Sequence, residues 1–387
     1  MILNKIKTIA VFTSIRSEYG LLKPLLDKIK KDMDFKLWLL VGGAHLRMEY
    51  GMTKNQIIED GFSIKQEFDF LQDETSKDYI SRSMGTLQIQ LGEWLVNHKP
   101  DVLIVLGDRF ELIPVVSVFL MNNIPIAHIS GGDVTEGAID NQIRNAITKM
   151  AHLHFPATEI YRQNIIKMGE EEWRICVSGE PGLDDVLNTK FYSKTDLYNE
   201  LDLDTEKPVI CVTFHPETIN NKINPEFIED LFLKIVDKFG FQILVTASNF
   251  DNGGRQINEK LEQMALQNDS IKYVKSLGQR RYYSLLKYAE LMLGNSSSGL
   301  VEAQSFNLPV LNVGDRQAGR LSNDNVFHVG IESDEIIKAI THVMSEPFKK
   351  AFFDKPNIYG DGNACQKIIS SLQQVDLQNL LIKKSTF

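Results

Sequence analysis

The sequence predicts an α/β protein of two domains, each a parallel sheet with helices on both faces. Three observations lead there. Short apolar runs alternate with amphipathic stretches along nearly the whole chain, which is the rhythm of βαβ units. The length of 387 residues exceeds what one typical core accommodates. Charged and turn-forming clusters fall directly after the apolar runs, where open parallel sheets carry their ligand-handling loops.

In the first half, residues 8–13 read as a strand. Residues 19–31 have helical spacing through Leu22, Leu25, Leu26 and Ile29, and 35–41 form a second strand. Residues 84–97 are helical, 102–106 a fully apolar third strand, 110–121 a helix and 124–129 a strand. Residues 182–207 are polar with no long apolar run, which places a boundary near 179–182. Beyond it, 208–214 is a strand, 225–239 a helix, 242–247 a strand, 255–267 a helix and 271–274 a short strand. Then 282–287 is a short helix, 291–294 a strand, 299–306 a helix and 309–313 a strand. The amphipathic stretch 364–381 is expected to return to the first domain. The expected division is a first domain over 1–180, a second over 181–363 and a C-terminal segment over 364–387.

Hydrophobic residues make up 43% and charged residues 24%, an ordinary globular composition. A net charge of −9 argues against a general nucleic-acid binder, which needs a basic stripe. It leaves room for an anionic small molecule in a locally positive cleft. Cys176, Cys211 and Cys365 are odd in number and far apart, so neither disulfides nor a thiolate zinc site is expected. No histidine pair has metal-ligand spacing, and no metal or other cofactor is expected. No apolar run approaches the ~20 residues of a membrane span. A cytoplasmic protein with no membrane partner is the expectation.

The strand-end residues carry the chemistry. Asn295-Ser296-Ser297-Ser298-Gly299 follows an apolar strand and opens a helix. Small residues, hydroxyls and unpaired N–H groups there suit a diphosphate; an N-cap with flanking serines is the competing reading. Glu302, one turn on, could accept both hydroxyls of a ribose or merely favour the helix dipole. Arg16 and Arg316 each follow a strand and could clamp phosphate oxygens, against the alternative of solvated surface arginines. Asp108, Asp133 and Asp140 lie at loop tips of the first domain, where paired carboxylates could do acid–base work at a sugar carbon. His215 opens the second domain's first loop and is the natural proton carrier near neutrality. His45, Arg109 and Asn249 also stand at strand ends and are candidates for the sugar. His128, His152 and His154 read as core histidines, and His98 and His342 as helix-surface residues.

Several stretches together resemble the UDP-N-acetylglucosamine 2-epimerases, and specifically their hydrolysing branch, used for sialic and legionaminic acid precursors. They are Ser14-Ile15-Arg16-Ser17-Glu18-Tyr19-Gly20, Val105-Leu106-Gly107-Asp108-Arg109-Phe110-Glu111 and His128-Ile129-Ser130-Gly131-Gly132-Asp133-Val134-Thr135-Glu136-Gly137. Further along come Ile143-Arg144-Asn145-Ala146-Ile147-Thr148-Lys149, Phe214-His215-Pro216-Glu217-Thr218, Gly294-Asn295-Ser296-Ser297-Ser298-Gly299 and Gly314-Asp315-Arg316-Gln317. The resemblance implies two Rossmann-like domains in a GT-B-like arrangement with the active site in the interdomain cleft. It implies a UDP-sugar substrate, with Arg16, Ser296, Ser297, Ser298, Gly299 and Arg316 on the diphosphate and Glu302 on the ribose. It implies that Asp108, Asp133, Asp140 and His215 carry or support the chemistry, and that the protein is a homodimer or homotetramer.

The expected reaction releases UDP and N-acetylmannosamine from UDP-N-acetylglucosamine. The alternatives are the same reaction on a UDP-2,4-diacetamido-2,4,6-trideoxyglucose, or a non-hydrolysing epimerase. The sequence departs from the family pattern at Ser130 and Asn145, where histidines are usual, and at Asp133, where glutamate is usual. These departures fall around the sugar and leave its identity open. A GT-B glycosyltransferase and a nucleotide-sugar sensor share the architecture; release of free sugar without an acceptor separates them from a hydrolysing epimerase.

Overall fold

Apolar runs buried on both faces make the central strands, and the computed structural model describes residues 6–72, 76–136, 139–216, 223–248, 254–377, 379–384 and 386. Strands β1 (Lys7–Thr13), β2 (Phe35–Gly42), β3 (Ile64–Phe68), β4 (Val102–Leu106), β5 (Ile126–Ile129) and β6 (Leu153–Phe155) form one sheet. Its order is β3-β2-β1-β4-β5-β6, and every pairing is parallel. Strands β7 (Val209–Thr213), β8 (Gln242–Thr246), β9 (Ile271–Val274), β10 (Leu291–Gly294), β11 (Val310–Val313) and β12 (Val326–Val329) form the second, in the order β12-β11-β10-β7-β8-β9. It too is parallel throughout. Counted from its own first strand, each sheet has the doubly wound order 3-2-1-4-5-6 or its equivalent about a central first strand.

β1 shows why its run carries no polar alternation. Ile9 and Val11 pack with Leu22, Leu25 and Leu26 of the helix Arg16–Lys31, and with Ile368 and Leu372 of the helix Ala364–Gln374. Ala10 and Phe12 face the other way, toward Leu87, Leu91 and Phe119. Both faces are covered, so the run Ile9–Phe12 is apolar at every position. In the second sheet, Ile210 and Val212 pack likewise with Ile228, Leu231 and Ile235 of the helix Pro225–Phe239.

The chain divides into two units. One comprises Met1–Asp133, Ile139–Asp185 and Tyr359–Phe387, the other Val134–Ala138 and Val186–Ile358. Gly179, at φ +87°, lets the first unit's chain approach Gly360, whose Cα stands 3.1 Å from where a Cβ would be.

Several elements differ from the sequence reading. β3 and β12 have no counterpart in it. Both are edge strands with a single ladder neighbour, so β3 can be as polar as Ile-Lys-Gln-Glu-Phe. The first helix begins at Arg16, three residues early, because Glu18 reaches back to the backbone N–H of Ser14. The stretch 299–306 is a short helix, Ser297–Val301, followed by a 3-10 turn, Ala303–Phe306. The C-terminal helix stops at Gln374 and resumes only as a 3-10 turn, Asn379–Leu381. No helix among the described residues is long and apolar enough to cross a membrane.

Candidate active site

In a doubly wound sheet the chain reverses its strand order between the first and fourth strands, and the crevice at their carboxyl ends takes the ligand. Here the switch points are β1/β4 and β7/β10. Arg16, Asp108 and Arg109 follow β1 and β4; His215 and Ser296–Ser298 follow β7 and β10. The topology singles out the same loops as the residue chemistry, by an independent argument.

In the first unit one buried arginine organises the acids. Arg144 is 2% exposed and lies inside the helix Asp140–Met150. One terminal nitrogen pairs with the Asp108 carboxylate, and the other donates to the Asp133 carbonyl at 3.0 Å. The pair joins the loop after β4 to the loop after β5. Asp133 is buried, whereas Asp140 is exposed as the first residue of its helix, where a carboxylate also favours the dipole. Thus three acids that read alike in sequence differ in exposure and pairing: Asp108 is paired with Arg144, Asp133 is buried and Asp140 is exposed.

Histidines brace these loops. His128 Nε2 donates to the Gly107 carbonyl at 2.8 Å, its Nδ1 lies 3.1 Å from Thr148 Oγ1, and burial pushes its pKa down to about 4. It is a neutral core histidine that fixes the backbone before Asp108. His45 is fully buried, with its ring nitrogens 3.1 Å from Thr13 Oγ1 and 2.8 Å from Thr53 Oγ1. Burial lowers its pKa to about 4. Expected as a sugar contact, it instead has both nitrogens engaged inside the scaffold and offers no surface to a ligand. His98, expected on a helix surface, lies beyond the end of the helix Tyr79–Leu95 and stacks on Trp94 at 4.7 Å. Arg109 keeps part of its side chain exposed while its Nε donates to Glu111 at 2.6 Å.

The Gly131-Gly132 turn is a packing requirement. A Cβ on Gly132, at φ +80°, would lie 2.4 Å from the Tyr161 carbonyl oxygen. Ser130 beside it adopts φ +61°, and its hydroxyl lies 3.0 Å from both carboxylate oxygens of Glu180.

In the second unit Asn295 is the organising residue. It is fully buried; its side-chain oxygen accepts from His215 N at 2.7 Å and its amide donates to His215 O at 2.8 Å. Its own carbonyl accepts from Arg316 at 3.1 Å and Gln317 at 2.9 Å. His215, the serines and Arg316 therefore share one rigid node. Burial, then the Arg316 charge, pushes the His215 pKa down to about 3, so the imidazole is neutral at pH 7. Gly294 brings β10 against β7: at φ +134°, a Cβ would sit 1.9 Å from Thr213 O.

Ser296 caps the helix Ser297–Val301 with its own side chain, which accepts from Ser298 N. Ser298 Oγ bonds Tyr282 Oη at 2.6 Å and the Glu302 carboxylate, and Tyr283 Oη reaches Glu302 at 3.4 Å. A Cβ on Gly299 would meet Val310 at 2.9 Å, so this glycine serves helix–strand packing. Asn249 lies outside the described residues. Among the described residues no group of three or more His, Cys, Asp or Glu could hold a metal ion.

The family model for UDP-N-acetylglucosamine 2-epimerase matches residues 27–373. The chain belongs to the hydrolysing UDP-N-acetylglucosamine 2-epimerase family. Among its relatives, a GDP/UDP-N,N'-diacetylbacillosamine 2-epimerase (hydrolyzing) of Campylobacter jejuni is 35% identical, over 97% of this chain and 98% of that protein. A UDP-N,N'-diacetylbacillosamine 2-epimerase (hydrolyzing) of Legionella pneumophila is 32% identical over 98% and 99%. In fold the chain is similar to a UDP-GlcNAc 2-epimerase of Neisseria meningitidis solved with UDP-GlcNAc, at TM-score 0.83 and 18% identity, covering 95% of this chain and all (100%) of that one. The MnaA–UDP structure of S. aureus gives a TM-score of 0.81 at 19% identity, over 98% and 100%. These likenesses place this family member's two sheets in the GT-B-like class.

Sequence reasoning assigned no individual role to Arg144, Glu18, Glu111 or Glu180, and read Asn295 only as the first residue of the diphosphate run. Glu18 and Glu111 carried a signal, since each follows a strand end within a charged motif. Arg144 stood within one of the family-like stretches, but its pairing with Asp108, 36 residues away, had no signal in the sequence.

Proposed function

We propose that this chain is a hydrolysing 2-epimerase of a UDP-linked 2,4-diacetamido-2,4,6-trideoxyhexose, releasing UDP and the free 2-epimerised sugar. The observation that carries the sugar is the pair of relatives, each matched over nearly its full length, whose substrates are diacetylbacillosamine nucleotides. N-acetylglucosamine, the first expectation, has the weaker support, and the departures at Ser130, Asp133 and Asn145 fit a different ring.

In this reading the segments after β1, β10 and β11 hold UDP. Ser296, Ser297 and Arg316 take the diphosphate together with Arg16, and Glu302 takes the ribose. The first unit acts on the sugar. Cleavage of the C1–O bond sends the electron pair to UDP, and loss of the C2 proton leaves a 1,2-unsaturated sugar. Water then adds its hydroxyl to C1, and a proton returns to C2 from the other face. Asp108, Asp133 and Asp140 are the carboxylates available for these transfers, and their different environments suit acid and base roles. His215, neutral at pH 7, can hydrogen-bond the leaving group without bringing a charge of its own. Arg109 remains a sugar contact in this proposal, and His45 becomes a positioning residue.

The test is product analysis by NMR in heavy water, with UDP-2,4-diacetamido-trideoxyglucose and UDP-N-acetylglucosamine in parallel. The expected result is free 2-epimerised sugar with deuterium at C2, formed faster from the diacetamido substrate. A product still bound to UDP, or free sugar with unexchanged C2, overturns the reaction. Preference for UDP-N-acetylglucosamine overturns the sugar alone.

A further inference from the structure

Beneath the switch point of the first sheet lies a pair of acids that the proposed chemistry does not use. Glu18 is 5% exposed and Glu111 is 2% exposed. Glu18 belongs to the helix after β1 and Glu111 to the segment after β4, so they sit under the loops bearing Arg16 and Asp108. Ser14 lies between them. Its hydroxyl donates to Glu111 Oε1 at 2.6 Å and stands 3.4 Å from Glu18 Oε2, while its backbone N–H donates to Glu18 Oε2 at 2.8 Å. Thr13 Oγ1 reaches the same Glu18 oxygen at 3.1 Å, and Arg109 Nε donates to the same Glu111 oxygen at 2.6 Å.

The other oxygen of each acid, Glu18 Oε1 and Glu111 Oε2, is buried with no hydrogen-bond partner among the described residues. Leaving a buried carboxylate oxygen unbonded is costly, and two such oxygens in one cluster are poor design for folding alone. We propose that Glu18 and Glu111 are a positioning pair that locks the Arg16 loop to the Asp108–Arg109 loop through the Ser14 hydroxyl. The roles of Arg16 and Asp108 rest on the functional reading above; the pair itself rests on geometry.

The charge balance says how the lock is set. Two acids face one guanidinium, Arg109. His45, from the 3-10 turn Gly43–Leu46, reaches Thr13 but is held neutral by burial. Tyr19, on the Glu18 helix, meets His45 edge-on, and its hydroxyl donates a hydrogen bond to Asp60 at 2.7 Å. Among the described residues of these elements, Arg109 is the cation that acts on Glu18. Burial, with the Glu111 charge adding, pushes the Glu18 pKa up to about 7 against the Ser14 N–H and Arg109. Below that pH Glu18 is neutral and the cluster carries one compensated charge. Above it the two carboxylates repel across Ser14 and the lock loosens.

Two measurements test the pair. The first is the melting temperature of the wild type and Glu18→Gln from pH 5 to 8.5. A folded-state pKa raised above the unfolded value of 4.5 gives stability that is complete at low pH and lost as pH rises through about 7. The variant lacks that loss, so its Tm relative to wild type should rise with pH. A Tm difference that does not change with pH overturns the pair.

The second is UDP affinity by calorimetry for Glu111→Gln, Ser14→Ala and the double variant. Glu111→Gln, on the Asp108 loop, should weaken UDP binding at least ~3-fold, and Ser14→Ala should abolish that effect, a coupling within the range measured for contacting residues. Equal effects of Glu111→Gln with and without the Ser14 hydroxyl overturn transmission through Ser14. Neither measurement needs sugar turnover, so a wrong sugar leaves the outcome intact. If the wild type fails to bind UDP, the functional reading falls and the pH measurement alone judges the pair. Should Glu18→Gln not fold, Glu111→Gln carries a smaller version of the pH comparison, because it removes one contribution to the raised Glu18 pKa while burial, the largest, remains.

Discussion

Arg144 and Asn295 each tie separate sequence motifs together by satisfying backbone or carboxylate groups on two loops at once. Removing one partner of a buried ion pair leaves the other charge unpaired, at a cost of ~3–5 kcal/mol. Arg144→Met should therefore lower stability as well as turnover, by urea titration and product assay. Asp108→Asn is the sharper probe, because the amide still accepts from Arg144. It should reduce kcat and kcat/KM together and leave UDP affinity within about twofold of wild type, since an interaction made only in the transition state lowers both. Arg16→Ala and Ser297→Ala should do the reverse, each weakening UDP binding by ~1–3 kcal/mol in calorimetry, as expected for hydrogen bonds to a charged group. Unchanged UDP affinity in both would remove them from the diphosphate.

At the scale of elements, two glycine turns set the loops at the strand ends. The end of β10 closes on β7 because Gly294 has no Cβ, and the turn after β5 packs on the helix Glu159–Lys167 because Gly132 has none. In both cases the obstructing atom is a backbone oxygen, which cannot swing aside. Gly294→Ala should cost more than the ~1–3 kcal/mol of a strained backbone conformation alone, because the clash at 1.9 Å adds to it. Gly299→Ala, which meets only the Val310 side chain, should be milder. Chemical denaturation of the two variants checks the ranking. A Gly294→Ala protein as stable as wild type would mean that β10 and β7 separate at their ends more easily than the backbone geometry implies.

At the scale of the whole molecule, the chain leaves its first unit at Asp185 and returns at Tyr359, so that unit is closed by the last residues. Cys365, Ile368, Leu372 and Leu380 join the core around β1. Arg174, fully buried, donates to the carbonyls of Leu380 at 2.9 Å and Ile382 at 2.7 Å. Lys383 donates to the carbonyls of Lys149 and Ala151 and pairs with Glu170 at 2.7 Å. Burial alone would raise the Glu170 pKa, but hydrogen bonds from His154, Lys149 and Lys383 outweigh it and hold the group at about 2. A depressed pKa gives stability that is present above the unfolded value of 4.5 and lost as pH falls from there toward 2. Glu170→Gln should therefore flatten the acid limb of the Tm–pH curve. Removing residues 376–387 should lower the Tm at pH 7, because Leu377 and Leu380 leave the core and Arg174 loses two acceptors.

The sequence by itself determined the class of fold and the loops that matter. Apolar runs buried on both faces are a local signal, and so is the change from strand to helix spacing, which is why β1, β4, β7 and β10 and the clusters after them were legible. Edge strands β3 and β12 were not, because an edge needs neither a continuous apolar run nor two ladders. Tertiary structure alone decided which of the marked residues are enclosed and what each one is paired with. His45 and Asp108 both follow a strand and both carry chemistry in principle, yet one is enclosed by two threonines and the other is paired at the rim of its loop. Burial and pairing depend on residues far away in the chain: Arg144 for Asp108, Asn295 for His215, Ser14 between Glu18 and Glu111. A side chain's ionisation follows from how much water it loses and which charges it meets, and neither quantity exists until the loops are brought together.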